Sequence, residues 1–405
     1  MKTGMTTTFA PFSNLATAER AGFMLTRAEQ LRPLLREHAG ANEESGQLTA
    51  PVLAALHEQG FFGMWTPADL GGAELDPITS LNVLQSLAEA DPSVAWVLMA
   101  TSLATGTAGG YLADSAVQQV FQGDRFPVIA GQGTRPGRAV RDGDGYRLSG
   151  EWSFGSGIKH ANWIHTLGVV EGTGEALIFI VPVEKATLID NWDVMGLRAT
   201  GSIDYTIDNL FVPAEFTHPA TTEAPLRGGS LLRLGIIHLA IIGHSAWALG
   251  LSRSMLDELG QLVRGKAGRA GSVADSTNFL ATYGKAEAQW HAAHSLVHRA
   301  WQDITASLNT GNQPSHQQKT LARLALYNAT WTAESISTTV YHAAGTTALR
   351  SGSLQRNYRD MHAGTQHITS SPSVIEACGR SLAGLVPDSD WLLMQLVPTA
   401  DRPTS

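Results

Sequence analysis

The chain changes its hydrophobic period twice, and this double change constrains the fold more than any motif does. Up to about residue 125, apolar residues recur at helical spacing between clear stop signals. From Phe126 to Pro213 they instead form short β-branched or alternating runs: Val128-Ile129-Ala130, Trp163 to Val170, Ala176 to Val181, Asp204 to Val212. Turns such as Asp142-Gly143-Asp144-Gly145 separate these runs, as between antiparallel strands. After a variable linker, His218 to Gly229, the helical period returns. Met255, Leu259 and Leu262 share one face, as do Val297, Trp301, Ile304 and Leu308, then Leu324, Tyr327 and Trp331. No helical stretch inside the β block is long enough for a parallel crossover. The pattern predicts a mainly α protein in three parts. They are an N-terminal helical domain over 1–125, a small antiparallel β barrel or sandwich over 126–220, and a C-terminal four-helix bundle over 221–405.

Local punctuation agrees. Thr49 with Pro51 reads as a helix start, and Gly60 as its end. Asp76-Pro77 and Asp91-Pro92 repeat the cap-then-proline signal, each opening an apolar helix.

With 405 residues, 43% hydrophobic and only 16% charged, the chain has ample material for a core. So few charges imply that part of the surface is covered by other subunits. The net charge of −8 and the absence of a basic run exclude nucleic acid and anionic membrane as natural partners. The single cysteine, Cys378, excludes an intrachain disulfide framework, fits a reducing cytoplasm, and reads as a buried thiol. Met1 to Asn14 lacks a signal-peptide core. The most apolar window, Leu231 to Leu251, carries Arg233, His238 and His244, which are costly in a bilayer, so it reads as a buried core helix.

Near the end, Leu354 to His367 gathers two arginines, one aspartate and two histidines in fourteen residues. His362 and His367 are five apart, so on a helix they do not share a face, which argues against a paired metal site. A histidine poised near neutral pH is the usual proton acceptor in catalysis, whereas the bland reading of a lone one is a helix-cap side chain.

Several segments resemble the acyl-CoA dehydrogenase fold. Pro67-Ala68-Asp69-Leu70-Gly71-Gly72 looks like its proline-acidic-x-Gly-Gly loop. Leu148-Ser149-Gly150-Glu151-Trp152-Ser153-Phe154-Gly155-Ser156-Gly157 is similar to its flavin-contacting strand, and Met195 to Ser202 followed by Asn209 to Pro213 to the segment closing its β domain. Where the dehydrogenases commonly keep a Glu-Gly-Thr base, no carboxylate occurs between Met361 and Ile375. Arg359-Asp360 followed by His367 looks instead like the two-component flavin monooxygenases on this fold, which include 4-hydroxyphenylacetate, dibenzothiophene and indole oxygenases.

That resemblance implies an oxygenase using FMNH₂ or FADH₂ and O₂, acting on an apolar phenol- or indole-type aromatic through a C4a-hydroperoxyflavin. It implies a separate NAD(P)H:flavin reductase and a homotetramer. It assigns His367 as the base, Ser156 to the flavin N5, Gln132 to the ring edge, Phe154 to the ring, and Lys266 or Arg269 to the flavin phosphate. It places Trp96 where the substrate pocket begins. The competing expectation is a dehydrogenase-like flavoprotein oxidising a CoA thioester.

Overall fold

In the computed structural model, Phe12, residues 15–268 and residues 272–399 are described. The chain begins with α1 (Thr17–Ser45), α2 (Ala50–Glu58), α3 (Pro77–Ala88), α4 (Pro92–Tyr111) and α5 (Asp114–Val120). Asp76 caps α3 by accepting the N–H groups of Ile78 and Thr79, and Asp91 caps α4 through Ser93 and Val94. A proline follows each cap, where its missing N–H costs nothing. Thr49 makes no side-chain cap; its N–H goes to Asn42 Oδ1 at 2.8 Å and its hydroxyl contacts His38.

The middle of the chain forms β1 (Ile129–Asp142), β2 (Gly145–Trp152), β3 (Trp163–Val170), β4 (Ala176–Pro182), β5 (Thr187–Ile189), β6 (Asp204–Pro213) and β7 (Thr217–Pro219). They make one sheet in the order β5-β6-β2-β1-β3-β4-β7. The expectation of a purely antiparallel domain is corrected here, because β1 and β3 run parallel. The chain leaves β2 on one side of β1 and returns on the other. A short connection with one 3₁₀ turn at Ile158–His160 makes the crossing, with no α-helix. This crossover, Ser153 to Asn162, is the segment that lies over the N-terminal helices.

Next come α6 (Gly235–Lys266), α7 (Thr277–Asn309), α8 (His316–Ala344), α9 (Ser353–Gly364) and α10 (Pro372–Leu382). Helices α6, α7, α8 and α10 form the bundle, and α3 and α4 pack against α6. A terminal hairpin, β8 (Ser389–Leu392) with β9 (Gln395–Pro398), was not expected. It is held from α8: Trp391 Nε1 donates to Thr320 at 2.8 Å, and the Arg323 guanidinium lies 4.5 Å over the Trp391 ring.

Leu232–Lys266 is apolar and long enough to cross a membrane by composition, yet 83% of its most apolar window is packed inside the protein. Its hydrophobicity is that of a core helix. Helix α4 joins the two cores. Val94 to Met99 pack with the bundle residues Leu239, Trp247 and Trp301, while Ala104, Ala108 and Leu112 pack with the sheet residues Ile129, Ile164 and Phe179. A helix buried on nearly every face is apolar all round. The junction of bundle, α4 and crossover is where chemistry-bearing side chains meet.

Candidate active site

Trp96 sits on the first turns of α4, fixed by the Asp91 cap. Its Nε1 donates to Ser156 Oγ at 3.1 Å, reaching from helix to crossover. Its ring meets His244 of α6 at 4.8 Å between centroids, Trp247 at 4.9 Å and His367 at 5.7 Å, each nearly edge-on. His244 and His367 lie 4.1 Å apart. Trp96 thus brings together two other expected residues, Ser156, 60 positions along the chain, and His367, more than two hundred positions along it.

Two residues of the cluster were missed. Trp247 anchors it, donating to Pro92 O at 3.1 Å, and lies against Gly364, where a Cβ would sit 2.1 Å from its ring. Only glycine leaves room for that indole on α9. His244 was visible in the sequence only as an interruption of an apolar run. Among the described residues, neither of its nitrogens has a hydrogen-bond partner and no carboxylate bonds to any of these five side chains.

His367 follows the end of α9 and caps the 3₁₀ turn Ile368–Ser370, the bland reading met at the sequence level. Its Nδ1 lies 2.8 Å from Thr369 Oγ1 and 3.4 Å from Thr369 N. A hydroxyl serves either tautomer, accepting from Nδ1–H or donating to its lone pair. Capping therefore occupies one nitrogen and leaves Nε2 for other work. Burial lowers the His367 pKa to about 4. Burial, and then the His367 charge, holds His244 well below the ordinary value. Both rings are neutral at pH 7.

Ser156 is 7% exposed, and its hydroxyl belongs to a chain. Ser156 Oγ is 2.7 Å from Ser202 Oγ, which is 2.6 Å from Thr200 Oγ1, which donates to Leu197 O at 2.7 Å. The Ser156 N–H is used inside its own turn, on Phe154 O. Phe154 holds φ 69, uncommon for an aromatic residue, and stands 65% exposed with its edge toward Trp192. Ile368, beside His367, is 51% exposed.

Arg359 and Asp360 do not pair with each other; both clamp the Met195-Gly196-Leu197 loop. Arg359 Nη1 donates to Met195 O at 2.7 Å and meets Glu43 at 2.5 Å. Asp360 Oδ1 accepts the Leu197 N–H at 2.6 Å, holding Leu197 at φ 55. Gly196 permits this approach, since a Cβ there would lie 2.2 Å from Arg359 O. His362 stays outside the cluster, 3.7 Å from Glu334.

The remaining expected flavin contacts are placed as follows. Gln132 lies at the irregular part of β1 with its side chain turned back on Thr134 and Arg135, while its N–H donates to Tyr205 Oη at 3.1 Å. Tyr205 also flanks Gly155, so Gln132 neighbours the crossover through that ring. Lys266 Nζ reaches Thr347, and Arg269 lies outside the described residues. At about 1.5 Å per residue, Lys266 is roughly 33 Å along α6 from His244, beyond the length of a flavin mononucleotide bound at this cluster.

The site suits a flat, mostly apolar ring with a polar edge. An exposed phenyl in a constrained turn stands beside a hydroxyl oxygen that keeps one unshared lone pair, and buried aromatics form the floor. Those residues fit a flavin.

Known proteins agree. Residues 25–113 match the N-terminal domain of acyl-CoA dehydrogenase, and residues 242–372 match its C-terminal domain. The chain is 28% identical over 373 residues to the flavin-dependent monooxygenase oxygenase subunit HsaA of Rhodococcus jostii, covering 86% of this chain and 94% of the relative. It is 25% identical over 372 residues to an indole-3-acetate monooxygenase of Acinetobacter baumannii, covering 88% and 94%. The crystal structure of 3-HSA hydroxylase from Rhodococcus sp. RHA1 superposes with a TM-score of 0.84 at 25% identity, covering 89% of this chain and 96% of that one. The chain is a flavin-dependent monooxygenase built on the acyl-CoA dehydrogenase fold.

Proposed function

We propose that this chain is the oxygenase component of a two-component system that hydroxylates or epoxidises an apolar aromatic of phenol or indole type. The observation that carries this is the convergence of Trp96, Ser156, His244, Trp247 and His367 with no carboxylate bonded to them. A thioester-oxidising flavoprotein would need a carboxylate base there to remove a carbon-bound proton. Here neutral imidazoles stand against indole rings.

A reduced flavin held at the crossover would supply the two electrons that activate O₂, with one oxygen atom passing to the substrate and the other leaving as water. The chain's own residues do the rest. Phe154 would hold the ring and Ser156 its N5 edge. Trp96 and Trp247 give the substrate an apolar aromatic wall and keep water from the reacting atoms. His367 takes the substrate O–H or N–H proton at Nε2 in the tautomer whose Nδ1–H donates to Thr369 Oγ1, which gives up the longer 3.4 Å cap from the Thr369 N–H. Taking that proton raises electron density on the ring carbon to be oxygenated. Burial keeps the imidazole neutral, the form able to accept.

An oxygenase subunit takes its reduced flavin from a separate reductase, as the name of the Rhodococcus relative implies. We also propose a homotetramer: charged residues are few, and a groove on α7, α8 and α10, where Leu324, Tyr327, Trp331 and Ile375 alternate with polar side chains such as Gln289 and Asn328, supports packing against a second copy. The length of α6 separates Lys266 from this chain's own site, so we assign it to the flavin phosphate of an adjacent copy, the role proposed for Arg269 from the sequence alone. A cytoplasmic location fits the single buried thiol, Cys378.

The test is isotopic. Protein charged anaerobically with reduced flavin and given ¹⁸O₂ and a panel of phenols and indoles should yield product with one ¹⁸O. Acyl-CoA bleaching the oxidised flavoprotein, with no labelled aromatic product, would establish the dehydrogenase instead.

A further inference from the structure

The hydroxyl chain beneath the flavin site has a fixed direction. The Leu197 carbonyl can only accept, and besides Thr200 Oγ1 at 2.7 Å it receives Trp192 Nε1 and the Thr200 N–H, each at 3.1 Å. Thr200 therefore spends its only hydroxyl proton on Leu197. Its 2.6 Å contact with Ser202 must be donated by Ser202. Ser202 has then spent its proton, so the 2.7 Å contact with Ser156 is donated by Ser156. Ser156 in turn accepts from Trp96 Nε1–H, which can only donate. Every proton in the row runs away from the pocket. Ser156 Oγ is left with one lone pair and no hydrogen to offer.

Resting on the placement of Ser156 at flavin N5, we infer that Thr200 and Ser202 make this site selective for reduced over oxidised flavin by forcing Ser156 to be a pure acceptor. Reduced flavin carries N5–H and donates to that lone pair. Oxidised flavin presents its own N5 lone pair, so two acceptors face each other and neither is satisfied. The residues that set the selectivity touch no flavin; they are positioning residues, 2% and 3% exposed. The arrangement suits an enzyme supplied with free reduced flavin, because spent oxidised flavin is released and does not block the site.

The experiment measures affinity. Dissociation constants for oxidised and, anaerobically, reduced FMN and FAD are determined for the wild type, Ser202→Ala, Thr200→Val and Thr200→Ser. The wild type should bind the reduced form more tightly. In Ser202→Ala and Thr200→Val the Ser156 hydroxyl is free to turn toward N5, and the reduced-over-oxidised ratio should fall about tenfold, the weight of one hydrogen bond. The fall should come from tighter binding of the oxidised form, a gain that a merely damaged site does not produce. Thr200→Ser keeps the donor to Leu197 and should keep the ratio. A wild type that binds both states equally, or ratios unchanged in both disruptive variants, overturns the inference while leaving the oxygenase reading standing. A wild type that binds neither state overturns both.

Discussion

Asp360 is buried with Oδ1 on the Leu197 N–H and Oδ2 without a partner, and it ties α9 to the loop that ends the hydroxyl chain. Burial, and then the charges of Asp91 and Glu43, raise its pKa to about 7 against the opposing pull of the Leu197 N–H and Arg356. In the unfolded chain it titrates near the ordinary 3.8. Between those values the folded state holds the proton more tightly. The stability this group contributes is therefore complete below about pH 4 and is lost as pH rises through about 7. A shift of about three units, at roughly 1.4 kcal/mol each, makes the loss about 4 kcal/mol.

Asp360→Asn keeps an acceptor for the Leu197 N–H and cannot ionise, so it removes the titration while sparing the contact. Urea unfolding followed by circular dichroism, at steps from pH 4 to 8.5, gives both stabilities. The variant should gain on the wild type by about 4 kcal/mol between pH 4 and 7.5, with the difference flat above that. Titrations of groups not coupled to Asp360 occur in both proteins and cancel from the difference, which leaves Asp360 with its charged neighbours Asp91 and Glu43. Parallel pH profiles would refute the reasoning, because they would mean that Asp360 ionises in the fold as easily as in water. Asp360→Ala, by contrast, orphans a buried N–H and should cost about 1–3 kcal/mol at every pH, beyond the titration effect.

Other outcomes follow from the same geometry. His367→Asn retains a side chain able to cap the turn at Ile368 while removing the imidazole, so unfolding midpoints should change little and product formation should fall about 10²–10⁴-fold. Full turnover in that variant, measured with saturating reduced flavin, would remove His367 from the mechanism. Gly364→Ala places a Cβ 2.1 Å from the Trp247 ring and should cost about 1–3 kcal/mol and shift tryptophan fluorescence, since Trp247 packs on Trp96. His165 and His218 are buried in the β domain, with pKa values lowered to about 3 and about 4 mainly by burial. Each stays neutral in the fold while the unfolded chain takes up a proton near pH 6.5. Stability is thus lost as pH falls from about 6.5 toward 4, and His218→Gln should flatten that slope by about one proton.

Much of the architecture was legible because it rests on periodicity. Asp76-Pro77 and Asp91-Pro92 announced α3 and α4 through cap chemistry that acts within four residues. The parallel pairing of β1 with β3 was not legible, since strand order is a long-range property. A crossover made by a ten-residue loop with one 3₁₀ turn lacks the helix that would have announced it. The terminal hairpin escaped for a related reason. Its strands are four residues each, and what fixes them is Arg323 and Thr320 on α8, far away in sequence.

The site divides along the same line. Trp96, Ser156 and His367 could be found because each lies in a segment resembling a known one. What makes them a site was hidden, because it depends on where protons go. Thr200 and Ser202 stood in the sequence only as part of the segment resembling the close of the β domain, and only their distances to Leu197 and Ser156 reveal a chain with one direction. His244 stood in plain view, an imidazole amid Ile241, Ile242, Ala246 and Trp247, and was taken only as a reason against a membrane span. The stronger question was what a buried ring nitrogen on that helix could face. A polar group inside an apolar run needs a partner or a purpose, and with no hydrogen-bond partner among the described residues, the His367 ring 4.1 Å away is the informative neighbour. Two neutral imidazoles whose rings lie 4.1 Å apart resist a double charge, because a second proton would sit against the first. On the function proposed above, His367 therefore takes the substrate proton while His244 stays neutral, and that proton must leave before the next turnover.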